Sequence, residues 1–125
     1  MPSTASPVAS FVMLPTRNVG DSVIIYAAEY LNKTNGERIE REVARKLDEG
    51  FRKLVINFQD TNVVNSIGIS ILLGLVDLAA QRKASLIFSN VSEHPRQLFE
   101  MLGLTRHIPL VADENIALGA TPIAS

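Results

Sequence analysis

The chain has 125 residues, 46% of them hydrophobic and 20% charged, with a formal net charge of -1 at pH 7. That is one domain's length, enough to bury a core without disulfides or metals, and the absence of cysteine removes disulfides, thiolate nucleophiles and zinc–thiolate sites. No excess of basic residues exists to neutralise phosphates, so direct nucleic-acid binding is not expected.

Residues 1–10 are small and polar with two prolines. They read as a flexible arm and lack the basic start and apolar stretch of a secretory signal. Phe11 to Leu14 is a short apolar run that predicts an edge strand. Asn18-Val19-Gly20-Asp21 supplies turn residues, and the β-branched and aromatic run Val23 to Tyr26 predicts the second strand of a hairpin. Glu29 to Asn35 reads as a polar connection. Ile39, Val43 and Leu47 recur every four residues between charges, which predicts a helix over Glu37 to Glu49, stopped by Gly50.

Lys53 to Phe58 predicts a buried strand, Gln59 to Asn65 a polar loop carrying two valines, and Ser66 to Lys83 a long apolar helix. The most apolar stretch, Ile67 to Ala80, is too short to span a bilayer and contains Asp77, so no membrane insertion is expected. Leu86 to Phe88 predicts another buried strand. Ser92 opens a third helix whose first turn holds Pro95, where the missing N–H costs nothing, and Gly103 ends it. Ile108 to Val111 reads as a short strand, Asp113 to Leu118 as a last helix, and Gly119 to Ser125 as a tail. After the hairpin, strands alternate with helices. This predicts an α/β fold, a partly parallel sheet with a helix layer, in one domain over residues 11–118.

Catalytic signatures are missing. The two histidines, His94 and His107, stand in unrelated contexts, and no HExxH, P-loop, GxGxxG or GxSxG occurs. No cofactor, metal or catalytic residue is expected, and the chain does not read as an enzyme. The acids of the first helix interleave with Arg38, Arg41, Arg45 and Lys46, the pattern of a solvated face.

The informative stretch is Leu54 to Leu73, LVINFQDTNVVNSIGISILL. A buried strand leads through a polar loop to Asn-Ser-Ile-Gly-Ile at a helix start. Serine before an apolar helix has a plain structural use as an N-cap, worth ~1 kcal/mol. The helix itself carries two apolar stripes, Ile69, Leu72, Leu73, Val76 and Ala80, and Ile67, Ile71, Leu75 and Leu78. Two-sided hydrophobicity means either burial on both sides or a partner surface.

This segment resembles the signature of the STAS domain family, in which a buried strand leads to Asp-Ser-Ser/Thr-Gly-Leu at a helix start. Ser66 aligns with the family's phosphorylatable serine, Gly68-Ile69 with its Gly-Leu pair, and Leu72-Leu73 with the apolar positions that follow. Leu102-Gly103-Leu104 and Ile108-Pro109-Leu110-Val111 also resemble the family's ending, so the likeness runs from about Phe11 to Leu118. The chain departs from the pattern with Asn57 and Asn65 where the family has aspartate, and with Ile67 where it has a second hydroxyl.

The resemblance implies a small mixed sheet with helices packed mainly on one face. It also implies a cytoplasmic anti-sigma factor antagonist that works by partner switching. The unphosphorylated protein would bind an anti-sigma factor kinase, phosphorylation of Ser66 would end the complex, and a phosphatase would reset it. Thr61, Asn62 and Asn65 would form the recognition loop, and the stripe Ile67, Ile71 and Leu75 the contact surface, with the first stripe turned to the core. The sequence is also compatible with a homo-oligomer and does not set the oligomeric state. The alternative within the same fold is a constitutive subunit of a transporter or stress-signalling complex without a phosphorylation switch.

Overall fold

The structure, a computed structural model, describes residues 14–119. In chain order the elements are β1 (Thr16–Val19), β2 (Ser22–Tyr26), β3 (Tyr30–Leu31), α1 (Lys33–Asp48), β4 (Lys53–Asn57), β5 (Val63–Val64), α2 (Ser66–Gln81), β6 (Ser85–Ser89), α3 (Glu93–Met101), a single 3₁₀ turn (Leu104–Arg106), β7 (Leu110–Val111) and α4 (Glu114–Gly119). The main sheet runs β1-β2-β4-β6-β7. Only its β1–β2 pair is antiparallel; β2, β4, β6 and β7 pair in parallel.

The structure departs from expectation most at three places. The hairpin forms, but its outer strand is β1 and not the run Phe11 to Leu14. Residues 11–13 lie outside the described residues, and Leu14 is buried just ahead of the strand. With Val19 paired to Ser22, the turn at Gly20-Asp21 places the partner strand directly before Gly20. That strand is largely exposed and so carries no apolar signal. Helix α1 starts a turn earlier than its periodicity suggests, because Asn32 caps it through a bond from the Asn35 N–H at 2.9 Å. The two segments read as polar connections each contain a two-residue strand, and β3 and β5 pair in parallel as a separate ribbon.

The central strands are buried on both faces, which is why they read as unbroken apolar runs. Alternate residues divide between two cores. On one face, Val23, Ile25, Leu54, Ile56 and Phe88 meet Ile39, Val43 and Leu47 of α1, Ile69, Leu72 and Leu75 of α2, and Phe99 of α3. Phe58 meets Phe88 and Phe99 edge-to-face there, Phe88 and Phe99 are tilted to each other, and the centroids lie 4.9–5.9 Å apart. On the reverse face, Ile24, Val55 and Ile87 are covered by Ala117 of α4. Among the described residues the helices therefore pack mainly on one face, with α4 on the other. Among the described residues no helix is long and apolar enough to cross a membrane.

Side chains hold the short helix α4 at both ends. The Lys53 Nζ donates to the Leu118 carbonyl at 2.6 Å. At the other end the Glu114 carboxylate accepts from Arg17 at 2.6 Å, from the Tyr26 hydroxyl at 2.9 Å and from Asn57 Nδ2 at 2.9 Å. Burial alone would raise the Glu114 carboxyl, but the hydrogen bonds from Asn57, Arg17 and Tyr26 and the Arg17 charge outweigh it and hold the group below its ordinary 4.5. A carboxyl depressed in the folded state adds stability above its unfolded pKa and loses it as pH falls through the folded one. The urea midpoint is therefore expected to drop as pH is lowered from about 5, with a shallower drop in Glu114→Gln. Equal slopes in the two proteins would place the acid sensitivity elsewhere.

Candidate functional site

The junction between β5 and α2 is built by three close contacts. The Asn65 N–H donates to the Leu31 carbonyl at 3.0 Å, tying the start of α2 to β3. Asn65 Oδ1 accepts from the Gly68 N–H at 2.8 Å, so Asn65 is the N-cap of α2. Gly68 then sits against β3 and faces Gly36 of α1. A Cβ on residue 68 would lie 2.6 Å from the Leu31 carbonyl oxygen, so only glycine lets helix and strand approach this closely.

This geometry corrects the capping assignment. Ser66 is not the N-cap but the first residue of the helix, with an exposed side chain. The structural use that would explain a serine here belongs to Asn65, because only the residue ahead of the first helical turn can turn its side chain back to the Gly68 N–H. Ser66 is exposed at a helix end whose first N–H groups and partial positive charge favour an anion.

Two expected contact residues are not at the surface. Thr61 is fully buried, and its Oγ1 donates to the Ala28 carbonyl at 2.6 Å, so it pins the loop from within. Leu75 is fully buried in the main core, because α2 is covered on the side of its second stripe by α1 as well as on the side facing the sheet. Ile71, of the same stripe, is half-buried, with its Cδ1 3.2 Å from where a Gly36 Cβ would stand. Asn62 and Ile67 are exposed, and Asn65 is half-buried.

The structure adds two residues. Tyr30 and Val63 stand directly opposite each other in the β3–β5 ribbon and are 42% and 50% exposed, while Ile67 beyond them is 54% exposed. The Tyr30 hydroxyl lies 3.5 Å from Asn65 Nδ2. Tyr30 and Val63 thus lie exposed on the ribbon that leads through Asn65 to Ser66, with exposed Ile67 directly after it. Each strand of the ribbon alternates exposed and buried over only two residues, too short a run for a period to be read.

The two asparagines that depart from the family pattern are both engaged. Asn65 caps α2. Asn57, 2% exposed, accepts from the Gln59 N–H at 2.7 Å while donating to Glu114. Among the described residues no group of three or more acids or histidines could hold a metal.

Comparison with known proteins agrees with this architecture. The family model of the STAS domain matches residues 13–117. A protein of Bordetella bronchiseptica, BtrV, which carries the name anti-sigma factor antagonist, is 26% identical over 90 residues, covering 72% of this chain and 78% of its own length. A Thermotoga maritima crystal structure described as an anti-sigma factor antagonist superposes with a TM-score of 0.77 at 17% identity, covering 87% of this chain and 94% of that one. SpoIIAA in its unphosphorylated form superposes with a TM-score of 0.68 at 20% identity, covering 82% and 90%.

Proposed function

Since the chain belongs to the STAS domain family, we propose that it is a regulatory binding protein of the anti-sigma factor antagonist type, acting in the cytoplasm by partner switching. In its unphosphorylated form it binds an anti-sigma factor kinase through the surface around Ser66. Phosphorylation of Ser66 ends the complex and a phosphatase restores it. The supporting observation is the freedom of Ser66: an exposed serine at the first position of α2, with the capping work done by Asn65, and with Tyr30, Val63 and Ile67 exposed as well. The name carried by BtrV agrees with the role.

The chemistry follows from position. A phosphate brings about -1.5 to -2 charges and three acceptor oxygens. At a helix N-terminus it meets free N–H groups and a favourable dipole, so the fold tolerates it. In a complex, the same dianion would be pressed against an apolar patch and lose its water, a cost that expels the partner. The modification therefore changes the surface and leaves the fold.

The test has two arms. Mass spectrometry of the protein from its native cells is expected to find a phosphate that Ser66→Ala abolishes, with unchanged helical circular dichroism in the phosphorylated form. Against a kinase captured from the same cells on the unphosphorylated chain, Ile67→Asp is expected to weaken binding by about thirtyfold, the effect of losing a central apolar anchor. Absence of phosphate in all growth conditions, with a partner that co-purifies permanently, would replace this reading with that of a constitutive subunit. The exposed isoleucine at position 67 suits such a complex.

A further inference from the structure

Asn57 closes β4 and is almost entirely buried. A primary amide offers an acceptor oxygen on one side and a donor nitrogen on the other, and this one uses them in two different parts of the molecule. Its Oδ1 accepts from the Gln59 N–H at 2.7 Å, in the first turn of the loop that leads to Ser66. Its Nδ2 donates to Glu114 Oε1 at 2.9 Å, on the first residue of α4 on the reverse face of the sheet. Turned over, the amide would set N–H against N–H at one end and oxygen against carboxylate at the other.

Glu114 is itself aimed, by Arg17 of β1 and Tyr26 of β2. On the loop side the chain continues through hydrogen bonds from Thr61 N–H to the Phe58 carbonyl at 3.0 Å and from Asn62 N–H to the Glu29 carbonyl at 2.9 Å, and so reaches the exposed Val63. An aspartate at position 57 could still accept from Gln59, but it would face the Glu114 carboxylate with nothing to donate. The amide is the side chain that serves both ends.

We propose that Asn57 is a positioning residue through which the seating of α4 on the reverse face orders residues 59–62, so that the two faces of the sheet are coupled. By linkage the coupling runs both ways: whatever fixes the loop also seats α4. The inference rests on the function proposed above only for what the loop meets; how the loop is held is independent of it.

Amide hydrogen exchange of the full chain by NMR tests this without any partner. Glu114→Ala removes the acceptor and is expected to speed exchange at Gln59, Thr61 and Asn62 by about tenfold, together with Ala117 of α4, while Val43 and Leu72 in the core stay within about twofold. Glu114→Gln keeps an acceptor oxygen for Asn57 and is expected to restore most of the loop's protection. In the wild-type chain at low denaturant, Ala117 and the amides of Gln59, Thr61 and Asn62 are expected to open with one shared free energy, a measurement that needs no variant. Faster exchange confined to Ala117, or separate opening energies for helix and loop, would overturn the proposal. An unmodified Ser66 would leave it standing.

Discussion

Gly68→Ala is expected to lower stability by about 2 kcal/mol, whereas Gly74→Ala, on the same helix, is expected to raise it by up to about 1 kcal/mol. Alanine improves helix propensity at either position. At Gly74 nothing lies within 4 Å of the added methyl, so the gain stands. At Gly68 the methyl would meet the Leu31 carbonyl oxygen at 2.6 Å and the Leu31 carbonyl carbon and Cγ at 2.9 Å. Backbone atoms cannot rotate aside, and overpacking of this kind costs about 1–3 kcal/mol. Relief requires α2 to move off β3, which stretches the Asn65–Leu31 hydrogen bond and displaces Ser66 and Ile67 with it. Urea unfolding of the two variants decides the matter. Equal shifts would mean that α2 does not approach β3 as closely as the structure shows.

Leu75→Asp is expected to abolish cooperative unfolding, while Ile67→Asp keeps a near-native midpoint. Leu75 is fully buried in the main core. Truncation of such a leucine alone costs about 2–5 kcal/mol, and a carboxylate adds an unpaired buried charge to that. Against a typical total stability of about 5–15 kcal/mol, little or nothing is left. Ile67 is more than half exposed, so a charge there keeps its water. Circular dichroism during thermal and urea unfolding distinguishes the two. A cooperatively folded Leu75→Asp chain would mean that α2 is rotated about its axis, with its second stripe turned outward.

These two substitutions mark where pattern alone stops. Ile67, Ile71, Leu75 and Leu78 form one stripe by spacing, yet in the structure Ile67 is exposed, Ile71 and Leu78 are half-buried and Leu75 is buried. The close approach of α1 to α2 at Gly36, Gly68 and Ile71 covers the stripe beyond its exposed first residue. A periodicity measures which residues share a face. It cannot report which neighbour covers that face, because the covering helix comes from elsewhere in the chain.

The capping residue shows the same limit at smaller scale. Asn65 and Ser66 are both good caps, and the sequence places them side by side at the helix start. Which one caps depends on where the chain leaves β5, and the bond from Asn65 N–H to the Leu31 carbonyl settles that by anchoring the backbone one residue earlier. Likewise, the strand Thr16–Val19 is largely open to solvent and each strand of the β3–β5 ribbon has only two residues, so neither leaves an apolar period to read.

By itself the sequence determined the alternation of strands and helices, the buried central strands, the helical segments and the motif at Ser66, because these depend on local propensity and on hydrophobic runs long enough to show a period. Tertiary structure alone decided which α2 residues reach the surface, that Tyr30 and Val63 pair in the ribbon that leads to Ser66, and that Asn57 links Gln59 to Glu114. Each of those rests on contacts between residues far apart in the chain, and spacing along one segment carries no record of what a distant segment brings to it.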